Sequence, residues 1–90
     1  MPTIRVSSVI SYYTDKQTHF DVSGSTALEA VQNAVEKYPQ LKFHVFDSEG
    51  NLRRHISLFV NDVNVKELDG IDTKVGMDDT VRILMAAAGG

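Results

Sequence analysis

Ninety residues with 42% hydrophobic and 23% charged side chains fit one soluble globular domain with a single core. A formal net charge of −3 argues against nucleic acid, which favours a basic stripe, and no apolar run approaches the ~20 residues of a membrane span. The absence of cysteine excludes disulfides, thiolate metal sites and thiol nucleophiles.

The opening "MPTIRVSSVI" has no apolar segment flanked by charge and a small-residue cleavage site. It does not read as a secretory signal, and a cytoplasmic location is expected. Residues 3–9 alternate, with Ile4 and Val6 on one face and Thr3, Arg5 and Ser7 on the other, the period of a half-buried strand. Residues 17–23 alternate again, Phe20 and Val22 inward, His19 and Asp21 outward. The linking "YYTDK" predicts a hairpin turn.

In "GSTALEAVQNAVEKYPQ", Thr26 followed by Glu29 reads as a capping box, with Ser25 as a second candidate cap. Leu28, Val31, Val35 and Tyr38 recur at helical spacing. Pro39 ends the pattern, because the residue before a proline is pushed out of the α region. A helix over 27–38 is predicted, and its apolar stripe needs a sheet to cover.

"LKFHVFD" has strand character and "DSEGN" reads as a turn. "HISLFV" is the clearest strand, with Ile56, Leu58 and Val60 on one face and Ser57 and Phe59 on the other. "NDVN" reads as a turn, and "VKELDGIDTKVGMDD" as a short edge strand plus an irregular crossing. "TVRIL" closes the chain's regular structure, Val81 and Ile83 inward, Arg82 and Leu84 outward. The order predicts an α+β domain: a mixed sheet of four to five strands with one main helix across one face. The last strand can pair parallel to the first in the sheet centre, as in a β-grasp (ubiquitin-like) fold.

Side-chain chemistry is sparse. There is no P-loop and no GxGxxG. His19, His44 and His55 stand at no helical i, i+4 spacing and have no cysteine to complete a metal set, so polar-face roles are expected. Asp78 and Asp79 fall in a turn before a strand, where neighbours point apart. No serine or threonine sits in a nucleophile motif. These side chains predict a protein that is not an enzyme and binds no metal or cofactor.

The sequence finishes on "AAAGG". Glycine lacks Cβ, so a Gly-Gly end can thread a narrow channel, and three alanines keep it slim. A carboxylate is a poor electrophile until it becomes an acyl-adenylate. Without a nucleotide motif in the chain, ATP would have to be used by a separate enzyme. An inert end is the alternative.

The order of elements, the strand running into "VNDVNV", the turn and strand "GMDDTVRIL" and the final "AAAGG" resemble the MoaD/ThiS family of ubiquitin-like sulfur carriers. The resemblance covers nearly the whole chain and is most specific from Leu52 onward. "NDxxV", the basic "LRRH" and the length look most like the cysteine-synthesis carriers of the CysO type; other members feed molybdopterin or thiamin synthesis. The resemblance implies sulfur held as a thiocarboxylate on Gly90, with Gly89 beside it. It implies adenylation by a ubiquitin-activating-type adenylyltransferase/sulfurtransferase and a downstream sulfur-accepting synthase. The alternative is a ubiquitin-like modifier conjugated to lysines through Gly90. Two residues depart from the family pattern. The family's usual DGD turn is MDD here, putting Asp78 where glycine is usual, and aspartate tolerates the left-handed region. Met85 replaces the proline that usually follows the last strand, which predicts a looser end.

The expected domain is residues 1–90 with a flexible tail over 85–90. A carrier must dock beside that tail. Phe59, Leu84 and Met85 are expected to form an apolar patch on the open side of the sheet, with Arg82 at its rim and Ala86, Ala87 and Ala88 entering the partner. Alternatively, Phe59 is covered by residues 64–75.

Overall fold

A computed structural model describes residues 1–85. Among these, five strands form one mixed sheet: β1 (Thr3–Val6), β2 (His19–Asp21), β3 (Ile56–Val60), β4 (Val63–Asn64) and β5 (Thr80–Met85). The order is β2-β1-β5-β3-β4. β5 lies in the middle, parallel to β1 and antiparallel to β3. The parallel pair in the sheet centre is the β-grasp arrangement that the element order predicts.

Helix α1 (Ala27–Lys37) crosses one face and buries Ala27, Ala30, Val31, Ala34 and Val35. They join Ile4, Val6, Phe20, Leu58, Val81 and Ile83 in one core. The three alanines let the helix come close to the sheet. The predicted cap forms, with one change. Thr26 Oγ1 accepts from the Glu29 N–H at 3.1 Å, while the Glu29 carboxylate turns to Ser25, accepting from its N–H and its hydroxyl at 2.8 Å each. Both cap candidates are therefore used. Tyr38 ends the helix at φ −128°, ψ 83°, and Pro39 starts a 3₁₀ turn. Gly24 must be glycine: its φ is +147°, and a Cβ there would stand 2.8 Å from the Ala30 nitrogen.

Three connections differ from expectation. Between β1 and β2 the chain makes a 3₁₀ helix, Ile10–Tyr13, instead of a tight hairpin turn. Ile10 and Thr14 are buried, and the Thr14 hydroxyl donates to the Gln17 carbonyl at 2.7 Å, so this segment carries its own piece of core. The reversal falls at Asp15 and Lys16, both at positive φ.

"LKFHVFD" is not a strand. Pro39–Leu41 is a 3₁₀ turn and Lys42–Val45 is the single-turn helix α2. Leu41 and Val45 are buried, a spacing that fits a strand face or a helix face equally well. Phe43 decides: a strand would bury it between them, whereas it is 63% exposed.

β4 occupies the end of "NDVN", so Asn61 and Asp62 alone make the turn, and Val65–Glu67 behind it is a 3₁₀ turn rather than an edge strand. Asn61 takes the left-handed conformation at φ +57°. Its N–H donates to the Thr80 carbonyl at 2.7 Å, and its side-chain oxygen accepts from the Thr80 N–H at 3.1 Å. Asn61 thereby fastens the end of β3 to the start of β5. The turn before β5 needs no left-handed residue at Asp78; among the described residues the non-glycine positions at positive φ are Asp15, Lys16 and Asn61. The Asp79 carboxylate closes that turn, accepting from the Gly76 N–H at 2.8 Å and from the Asn61 amide at 3.1 Å.

Candidate functional site

The alternation of β5 decides where each candidate side chain stands. Val81 and Ile83 are buried under α1, and Arg82 and Leu84 face the open side, as the sequence predicts. Met85 returns to the core face and packs against the core, so it does not extend the open-face patch. The period of two that buries Val81 and Ile83 requires this. Gly90, Gly89, Ala88, Ala87 and Ala86 lie outside the described residues.

Phe59 and Leu84 share the open face, both half-buried. They are diagonal neighbours, because Phe59 pairs with Arg82 and Leu84 pairs with Ser57. Arg82 is consequently central to the face and not at its rim. Asn64 pairs with Phe59 on its other side, and Phe59 remains half-exposed rather than buried.

The parallel pairing of β1 with β5 adds a residue that the sequence did not single out. Arg5 is the register partner of Arg82, and His19 is the partner of Arg5. Partners in register share a face. One row across the open sheet therefore reads His19, Arg5, Arg82, Phe59, Asn64. A hollow of about 320 Å³ is lined by Arg5, Asn61, Asp62, Thr80 and Arg82. Arg82 Nη1 stands 3.6 Å from the Asp62 carboxylate. Alternation had put Arg5 outward; only strand order could set it beside Arg82.

The other titratable groups are elsewhere. His44 stacks on Tyr13 with ring centroids 3.7 Å apart, and His55 is exposed just before β3. Among the described residues, no three of His, Asp and Glu gather as a metal set, and no helix is long and apolar enough to cross a membrane. The Asp79 carboxyl is held below its ordinary pKa first by the Gly76 N–H, then by Asn61. Glu29 is lowered first by the Ser25 N–H, then by the Ser25 hydroxyl. Both are structural caps, and Asp79 sits at the opposite end of β5 from Met85.

Comparison with known proteins adds four findings. A model of the ThiS family matches residues 8–90. The sulfur carrier protein CysO of Mycobacterium tuberculosis is 29% identical over 90 residues, covering 98% of this chain and 97% of that protein. Among solved structures, a chain of the Amycolatopsis orientalis BexX/CysO complex superposes with a TM-score of 0.88 at 28% identity, over 100% of both chains. Small archaeal modifier protein 1 of Methanosarcina acetivorans superposes at 0.86 with 22% identity, over 98% of this chain and 94% of its own, which shows the shared fold alone.

Proposed function

The chain belongs to the ThiS family, and from that membership we propose that it is a sulfur carrier working through the carboxylate of Gly90. A carboxylate oxygen of Gly90 attacks the α-phosphorus of ATP on a separate enzyme, pyrophosphate leaves, and an acyl-adenylate forms. A sulfide-level nucleophile supplied by the partner then attacks the acyl carbon. The C–O bond to AMP breaks with its electron pair, and the product is a thiocarboxylate. The carrier binds no cofactor in this scheme; ATP belongs to the ubiquitin-activating-type partner, and the cytoplasm is where both meet.

The observation that carries this function is the family match running through residue 90, on a chain whose last strand occupies the sheet centre. β5 is held by β1 as far as Ile83 and by β3 as far as Met85, which fixes the point from which the remaining residues depart. The likeness to CysO across nearly both whole chains supports delivery of sulfur to cysteine synthesis through a downstream sulfur-accepting synthase. That a CysO has been crystallised with BexX supports docking to a partner protein. Conjugation to lysines draws only on a shared fold with an archaeal modifier. Reconstitution with ATP, the adenylating enzyme encoded by the same genome and sulfide as the sulfur source tests the scheme. Wild-type chain should acquire one sulfur, and chain lacking Gly90 should acquire none.

A further inference from the structure

The open face of the sheet stores an unfavourable electrostatic arrangement. Arg5 and Arg82 are register partners on adjacent parallel strands, which places two guanidinium-bearing side chains about 4.8 Å apart at their origins. Like charges directly side by side on a sheet are destabilising. The flank of Arg5 away from Arg82 is His19, which brings no negative charge. The acids at hand do little to relieve the pair. Asp62 reaches Arg82 at 3.6 Å, but its side chain is 95% exposed, and exposed ion pairs contribute little. Asp21 belongs to the next row, where it accepts from the Thr3 hydroxyl at 2.9 Å.

The pair also stands out against the rest of the molecule. The chain is net −3, yet the centre of its uncovered sheet face is cationic and bordered by a half-buried aromatic ring. Arginine and aromatic residues are the types that dominate the centres of protein interfaces. A guanidinium presents a planar fork of donors matched to a carboxylate. Thr80 and Asn61 line the same hollow.

We propose that Arg5 and Arg82 form the electrostatic centre of a docking face for an acidic protein surface, with an aspartate or glutamate of the partner seated between the two guanidiniums. The partner's identity as the activating enzyme rests on the carrier function proposed above; the charge of its surface does not. Arg82 and the carboxylate-bearing Gly90 are on one continuous segment. Seven residues lie between them, and the eight steps from Arg82 to Gly90 span at most about 29 Å when extended, so the acidic group lies within that distance plus the reach of the arginine side chain from the site that receives Gly90.

Two measurements test this. Full-length chain is titrated with octaglutamate, octalysine and inorganic phosphate while the arginine side-chain N–H resonances are followed by NMR. Octaglutamate should shift Arg5 and Arg82, with little response to octalysine or to phosphate at equal charge, and the shifts should vanish in Arg5→Gln and Arg82→Gln chains whose spectra otherwise overlay wild type. Shifts confined to Arg53 and Arg54, or an equal response to phosphate, would overturn the proposal. In the second measurement, the double reversal Arg5→Glu with Arg82→Glu should slow adenylation by the host's enzyme by roughly tenfold or more and weaken its salt dependence. An unchanged rate would also overturn it. Wild-type chain that is never adenylated would remove the carrier function, while the titration would still decide the charge of the docking face.

Discussion

Met85 pairs with Ile56 across β5 and β3, two residues beyond Ile83, where the pairing of β5 with β1 stops at Val6. The central strand thus overhangs one neighbour while still held by the other. Leu84, on that overhang, faces the open side with Ser57 as its partner, and Met85 is tucked against the core. The family's usual proline after this strand is replaced by a residue that anchors by packing instead.

Phe59→Ala should weaken binding to the activating enzyme by roughly 30-fold or more, as truncated aromatic anchors do. The ring lies on the open face beside Arg82, so little stability should be lost with it. Binding is read by titration calorimetry and stability by urea unfolding. Equal binding, or an unfolded variant, would place the docking surface elsewhere.

Val31→Ala should destabilise more than Val35→Ala, both within about 1–3 kcal/mol. Val31 is fully enclosed, whereas Val35 keeps 9% of its surface and lines a hollow with Gln32, Lys42, Phe46 and Gly50. Chemical denaturation of the two variants checks the order; a reversed order would mean that α1 presents a different stripe to the sheet.

Much of this arrangement can be read from the residues. Strict alternation in Ile56–Val60 and Thr80–Met85 leaves no second choice of face, and Thr26 with Glu29 announces the start of α1. Leu41 and Val45 mislead because a four-residue spacing serves strand and helix alike, and only the exposure of Phe43 separates the two. The 3₁₀ helix after β1 has too short a pattern to register. Arg5 beside Arg82 is hidden for another reason: their pairing depends on β5 returning parallel to β1 after most of the chain has intervened. Alternation gives a face but never a neighbour.

Acid should unfold the protein partly through two carboxylates. Asp79 and Glu29 have folded pKa values below their ordinary ones, so the unfolded chain takes up their protons first. The stability they add is complete above the unfolded carboxylate range, near pH 4, and is lost as pH falls through the lower folded values. Asp79→Asn and Glu29→Gln chains should therefore show a shallower fall in stability between about pH 5 and pH 2 than wild type. Parallel curves for variant and wild type would mean that the caps add nothing through ionisation.

Sulfur carried on the carboxyl of Gly90 leaves a mass signature, and a sequence without cysteine lets it be read cleanly. Protein isolated from its native host should include a form about 16 Da heavier, the result of exchanging one carboxylate oxygen for sulfur. Methionine oxidation adds nearly the same mass, and Met1 and Met77 are well exposed. A thiol-alkylating reagent separates the two, because the sequence contains no cysteine to compete for it. One alkyl adduct is expected, located by fragmentation in the peptide that ends at Gly90 and missing when Gly90 is deleted or followed by an added residue. A heavier form that resists alkylation and maps to Met77, with the peptide ending at Gly90 unmodified, would contradict it.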